Sequence, residues 1–119
     1  ELAREARTRA VATGRASLLV LGGDVASAIA GSSALLLGNG VAVAIAWDPA
    51  HRPVPTATAI GRGAHATQLL GLARRHAIAV HRDHDLTAAL ATAVGALPEA
   101  AWPRLAEIIA ATRGRRRSI

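Results

Sequence analysis

With 119 residues, 51% of them hydrophobic, the chain can form one domain around a modest core but not two. The absence of cysteine excludes disulfides and thiolate metal sites, and no apolar run approaches the roughly 20 residues of a membrane span. The net charge of +6 is carried by the ends: residues 1–15 sum to +2, the tail from Arg113 to +4, and residues 16–112 to zero, so the body gives no reason to expect nucleic-acid binding. With only 2% aromatic residues and no Phe, Tyr or Met, Trp47 and Trp102 are the only large anchors for a core of Ala, Val, Leu and Ile. They are expected to pack in that core.

In chain order, Leu2, Ala6, Ala10 and Val11 recur near helical spacing, so residues 1–29 read as helical, interrupted at Gly14 and Gly22-Gly23. Ser32–Leu37 is a short apolar run fit for a buried strand. Val41–Trp47 alternates β-branched residues with alanine, a strand pattern ended by Asp48-Pro49. Between them, Asn39-Gly40 is the pair preferred in type I′ hairpin turns. Residues 51–55 (HRPVP) connect to a third strand, Thr56–Ile60. Leu69, Leu70, Leu72 and Ala73 then place a helix over Ala64–His76, followed by a fourth strand, Ala77–Val80. Asp85 is placed to cap a helix through Val94. Pro98 opens a last helix with an apolar stripe at Leu105, Ile108 and Ile109, which Gly114 ends. The class is α/β: a small four-stranded mixed sheet, about four flanking helices and an N-terminal linker helix. The division is a linker region over 1–29, a domain over 30–112 and a disordered basic tail over 113–119.

Chemistry-bearing clusters are few. His81, Asp83 and His84 in HRDHD are metal-ligand and proton-transfer types, yet only the isolated His51, His65 or His76 could complete a site; a solvated loop with a helix cap is the simpler reading. Gly61–Ala66 (GRGAHA) leads into a helix without P-loop or dinucleotide spacing. The terminal arginines suit an acidic partner, a third reading beside a small enzymatic or metal-binding domain. No catalytic residue, cofactor site or metal site is assigned.

The stretches VAVAIAWDP, RPVP, LARRHAIAV, LTAAL and LPEAAWPRLAEIIA together resemble the cytoplasmic domain of the switch proteins of type III secretion and flagellar export. Trp47-Asp48 is similar to the family's Tyr-Asp strand end, Pro53-Val54-Pro55 to its Pro-x-Pro connector, and Leu97-Pro98 with Trp102–Ala110 to its closing helix. The match runs ungapped from Val41 to Leu90 and is about three residues short before Pro98.

The resemblance implies a domain carried on a helical linker after a membrane-embedded region, on the cytoplasmic side of a bacterial inner membrane. It implies a part in substrate recognition and specificity switching, with other export-apparatus proteins, secreted substrates or a length-control protein as partners, no nucleic acid and no cofactor. The start at Glu1, without a signal-peptide pattern, fits a fragment of a longer protein. Family members cut themselves at Asn-Pro-Thr-His, where the asparagine amide attacks its own carbonyl. Those four positions fall on Leu37, Gly38, Asn39 and Gly40. Leu37 supplies no nucleophile, so the expectation is a degenerate loop and a member that does not cleave itself. Ile60 before Gly61 replaces the family lysine, and Asp85-Leu86-Thr87-Ala88 keeps only part of a Pro-Leu-Ala-Arg pattern.

Overall fold

The computed structural model describes residues 8–13, 16–22, 24–48, 54–92 and 94–117; residues 8–13, 16 and 113–117 are described through their backbone. The elements are β1 (Thr8–Thr13), β2 (Ala16–Leu21), α1 (Val25–Ala30), β3 (Ala34–Leu37), β4 (Val41–Ala46), β5 (Thr56–Arg62), α2 (Ala64–Arg75), β6 (Ala79–Arg82), α3 (His84–Leu90), β7 (Gly95–Ala96), a 3-10 turn (Glu99–Ala101) and α4 (Trp102–Arg117). The sheet runs β1-β2-β5-β4-β3-β6, with β7 on the other half of the β5 edge. All pairings are antiparallel except β3 with β6.

Both faces of this sheet are covered, which is why β3 is a continuous apolar run rather than an alternating one. Leu35 and Leu37 enter the core beneath α1 and α2, with Leu69 and Ala73 of α2. Leu36 enters the opposite core, with Leu90, Leu105 and Ile108 from α3 and α4. In β4 the alternation sorts by size: Ala42 and Ala44 face α1 and α2, while Val43 and Ile45 face α3 and α4. In β5 the period slips. Ala44 pairs with Ala59 but Ile45 with Ala57, leaving Thr58 as the extra residue of a bulge. Its hydroxyl donates to the carbonyl of Ala44 at 3.3 Å or that of Ala28 at 3.4 Å, tying α1 to the sheet.

The four strands expected from the sequence all form, and three further strands join them. The helical reading of residues 1–29 is corrected: residues 8–13 and 16–21 form a hairpin laid against β5, and residues 1–7 lie outside the described residues. Leu18 and Val20 of β2 are buried in the same core as Leu35. β-branched and leucine side chains at alternate positions fit a pleated, half-buried surface, and pairing with the β5 edge outweighs the loose helical spacing of Leu2 to Val11. Among the described residues of that region, only α1, over Val25–Ala30, is helical, capped by Asp24, whose carboxylate accepts from the Ser27 amide and hydroxyl. Hydrogen bonds from Ser27, first its hydroxyl and then its amide, hold the Asp24 carboxyl below its usual range.

Four helix boundaries also differ. Asp83, not Asp85, caps α3, because Asp83 has the extended backbone of a cap residue (φ −156°, ψ 101°) and its carboxylate accepts from the Leu86 amide at 3.0 Å. That helix ends at Leu90, short of Val94. Gly114 does not end α4, whose backbone continues to Arg117, against the expectation of a disordered tail; arginine is a good helix former, and one glycine costs a helix only about 1 kcal/mol. At the other end, Pro98 precedes the short 3-10 turn rather than α4 itself. α2 ends in a two-bond cap, Ile78 N–H to Ala73 and Ala77 N–H to Arg74, which places Ala77 at φ 57°.

Gly61 is where α2 crosses β5 most closely: a Cβ added there would lie 2.7 Å from the His65 carbonyl oxygen, which is backbone and cannot swing away. Gly61→Ala is therefore expected to lower stability by about 1–3 kcal/mol in urea unfolding; stability equal to the parent would contradict this close approach. For the α3 cap, the amide of Leu86 comes first and the Arg104 guanidinium second in holding the Asp83 carboxyl below its usual 3.8. A folded value below the unfolded one stabilises the fold above pH 3.8, and the benefit is lost as pH falls through the folded value. Asp83→Ala should cost about 1 kcal/mol at pH 7, and the gap to the parent should narrow in acid. A gap that stays constant down to pH 2, or no gap at pH 7, would contradict the cap.

Candidate functional site

The turn between β3 and β4 is fixed by groups outside itself. The carbonyl of Leu37 accepts from the Asp83 amide at 3.0 Å, and the Gly38 amide donates to the Val41 carbonyl at 2.8 Å. The carbonyl of Gly40 accepts from the Gly63 amide at 2.9 Å. The turn is thus pinned at one side to the start of α3 and at the other to the start of α2. The Leu37 side chain is buried in the core, and Asn39 and Gly40 are exposed.

Only Gly40 in this turn has a positive φ, at 74°. The type I′ turn expected for Asn39-Gly40 needs positive φ at both residues, so that expectation is corrected: a negative φ at the first residue and a positive one at the second are the signs of a type II turn. Glycine takes the left-handed position, and asparagine is relieved of it. Gly38 is constrained differently. A Cβ added there would lie 3.0 Å from Cβ and 3.1 Å from Cγ2 of Thr87 on α3, and Thr87 is fully buried. A small hollow of about 170 Å³ lies beside the turn, bordered by Gly38, Gly40, Thr67, Leu70 and Arg82.

The other sequence candidates do not converge. His81 lies half-buried on β6, while His84 and Asp85 are exposed in the first turn of α3. Asp83 is used by its cap and by Arg104, whose guanidinium reaches it at 3.3 Å and Glu107 at 3.0 Å. Among the described residues, no three His, Asp or Glu side chains gather as a metal site would require. His65 pairs with Gln68 at 2.9 Å and His76 ends α2, while His51 lies outside the described residues. In the GRGAHA stretch, Gly61 is packed under α2 and the Gly63 amide is committed to Gly40. The Arg113–Arg117 segment is described as helix backbone only.

Trp47 and Trp102 pack together at 6.2 Å between ring centroids, tilted by 48°. Trp102 donates its indole N–H to the Leu97 carbonyl. The Trp47 indole nitrogen and the Thr87 hydroxyl are buried without a hydrogen-bond partner among the described residues. Thr87 and Gly63 are the residues that sequence reasoning missed at the turn. Their roles arise from contacts across the fold, and no local pattern around them marks it. Among the described residues, no helix is long and apolar enough to cross a membrane.

Comparison with curated protein sequences finds no match. Solved structures match in fold. A proline-to-alanine variant of the EscU C-terminal domain superposes with a TM-score of 0.67 at 23% identity, covering 73% of this chain and 90% of that one. An asparagine-to-aspartate variant of the same domain gives 0.67 at 22%, covering 71% and 82%. The cytoplasmic domain of FlhB from Shewanella putrefaciens gives 0.66 at 20%, covering 72% and 69%. At these identities the structures establish the fold. The family itself is established by sequence: the profile described as "FlhB HrpN YscU SpaS Family" matches residues 35–112, well over half of the chain. The chain belongs to the FlhB, HrpN, YscU and SpaS family of export-apparatus switch proteins.

Proposed function

We propose that this domain works as an uncut switch in a type III protein export apparatus, docking on other apparatus proteins and taking part in the choice of secreted substrate. Secreted substrates or a length-control protein would be its further partners. Its place would be the cytoplasmic side of a bacterial inner membrane, held there by a membrane-embedded region outside this sequence. Family membership supports the apparatus. The uncut state rests on the resemblance, which places the cleaving asparagine at Leu37, and on the burial of that hydrocarbon side chain in the core.

The surroundings support the same reading. A proline at position 38 would remove the amide that donates to Val41 and bring ring atoms against Thr87. A histidine at position 40 would have to adopt the positive φ that glycine holds there. The loop is thus built around leucine and glycine, and a single substitution at Leu37 does not recreate the reactive motif. The β1–β2 hairpin, with Leu18 and Val20 in the core, extends the functional unit upstream of residue 30. Docking would then be set by a domain that stays in one piece.

Intact mass of the purified chain, fresh and after prolonged incubation at neutral pH, tests the uncut state, with Asn39→Ala as control. One unbroken chain is expected throughout. Two fragments split within Leu37–Gly40, and absent from the control, would contradict the proposal.

A further inference from the structure

We propose that Asn39 is a self-modification site, at which the chain converts its own asparagine to aspartate and isoaspartate without being cut. In this reaction the Gly40 backbone nitrogen loses its proton and attacks Cγ of Asn39. A nitrogen–carbon bond forms, the side-chain carbon–nitrogen bond breaks, and ammonia leaves with the proton. Water then opens the five-membered imide at either carbonyl, giving aspartate or isoaspartate. No oxidant, metal or cofactor takes part.

Three features of the turn carry the inference. First, the nucleophile is unhindered: Gly40 has no side chain, and nothing lies within 4 Å of where its Cβ would be. Second, neither reacting group is engaged. Both residues are exposed, and the Asn39 carboxamide and the Gly40 N–H make no hydrogen bond to any described residue. Third, the turn is anchored only around this pair, through the Gly38 amide and the carbonyls of Leu37 and Gly40. The side-chain torsion of Asn39 is untouched by those bonds, while the Asn39 ψ between the anchors has to rotate for the Gly40 nitrogen to reach Cγ. Cutting requires a different attack, by the side-chain nitrogen on the Asn39 carbonyl, so the two reactions give different products from one residue.

The product changes the site's chemistry. A carboxylate appears in the turn between Gly38 and Gly40, the two turn residues that border the hollow with Arg82. Arg82, which borders that hollow, is exposed and makes no ion pair with a described residue. In the isoaspartate product the backbone also gains a methylene inside a turn pinned at both ends. The domain thereby acquires an age-dependent charge and shape on the surface where relatives are cut. This inference does not depend on the uncut reading: deamidation leaves one chain that is slightly heavier, whereas cleavage gives two fragments.

Asn39 is the sole asparagine of the sequence and Gln68 the sole glutamine, so peptide mapping assigns any amide loss without ambiguity. The experiment follows the intact chain over days at pH 6, 7.4 and 9, with Asn39→Gln and Gly40→Ala variants and a short unfolded peptide spanning the turn as reference. The expected result is replacement of NH2 by OH at Asn39, faster at higher pH. It is absent in Asn39→Gln, whose ring would be larger, and slowed several-fold in Gly40→Ala. The Gln variant keeps the glycine and hence the turn, so it stands as a control even where the Ala variant folds poorly. An unchanged mass in the folded chain while the reference peptide reacts, or amide loss confined to Gln68, would overturn the proposal.

Discussion

The hydrogen bond from the Asp83 amide to the Leu37 carbonyl joins the β3–β4 turn to the rest of the molecule. It lies at the junction of β6 and α3, where Asp83 also caps the helix and meets Arg104 of α4. Once this junction is made, Thr87 comes one turn along α3 to rest against Gly38. On the other side of the turn, Gly63 at the start of α2 holds the Gly40 carbonyl. The loop is a short hairpin by sequence, but by structure it is the meeting point of two helix starts.

This arrangement makes the turn a defined element of the fold. Leu37 contributes hydrophobic burial where an asparagine would bury an amide needing partners. Gly38 provides the clearance that lets α3 sit against the turn. Gly40 provides the backbone conformation. These are structural gains at Leu37, Gly38 and Gly40, while Asn39 between them is exposed and its side chain makes no hydrogen bond to a described residue.

Much of the sheet was legible in the residues. The VAVAIA alternation gives β4 two unequal faces, and the structure uses both; ALLL reads as doubly buried and is. The family resemblance was carried by positions such as Trp47-Asp48 and Leu97-Pro98, spread over the segment that the family profile matches. What was not legible was non-local. Residues 8–21 carry a loose helical spacing that edge pairing with β5 overrides, and the partner strand lies some forty positions downstream. The shift of the α3 cap from Asp85 to Asp83 turned on backbone conformation, since both aspartates are chemically able to cap. At the turn, its place between two strands was readable, whereas its clamp by Gly63, Asp83 and Thr87 required the fold.

The central claim is that the β3–β4 turn is clamped from outside by the starts of α2 and α3. Residue-resolved hydrogen exchange measures it most directly, because amides held by such bonds exchange only when the structure opens. The account predicts that the Gly38, Gly63 and Asp83 amides are protected to a degree approaching the core strands, while the Gly40 amide between them exchanges freely. Fast exchange at all four would contradict the clamp and return the turn to an ordinary mobile hairpin.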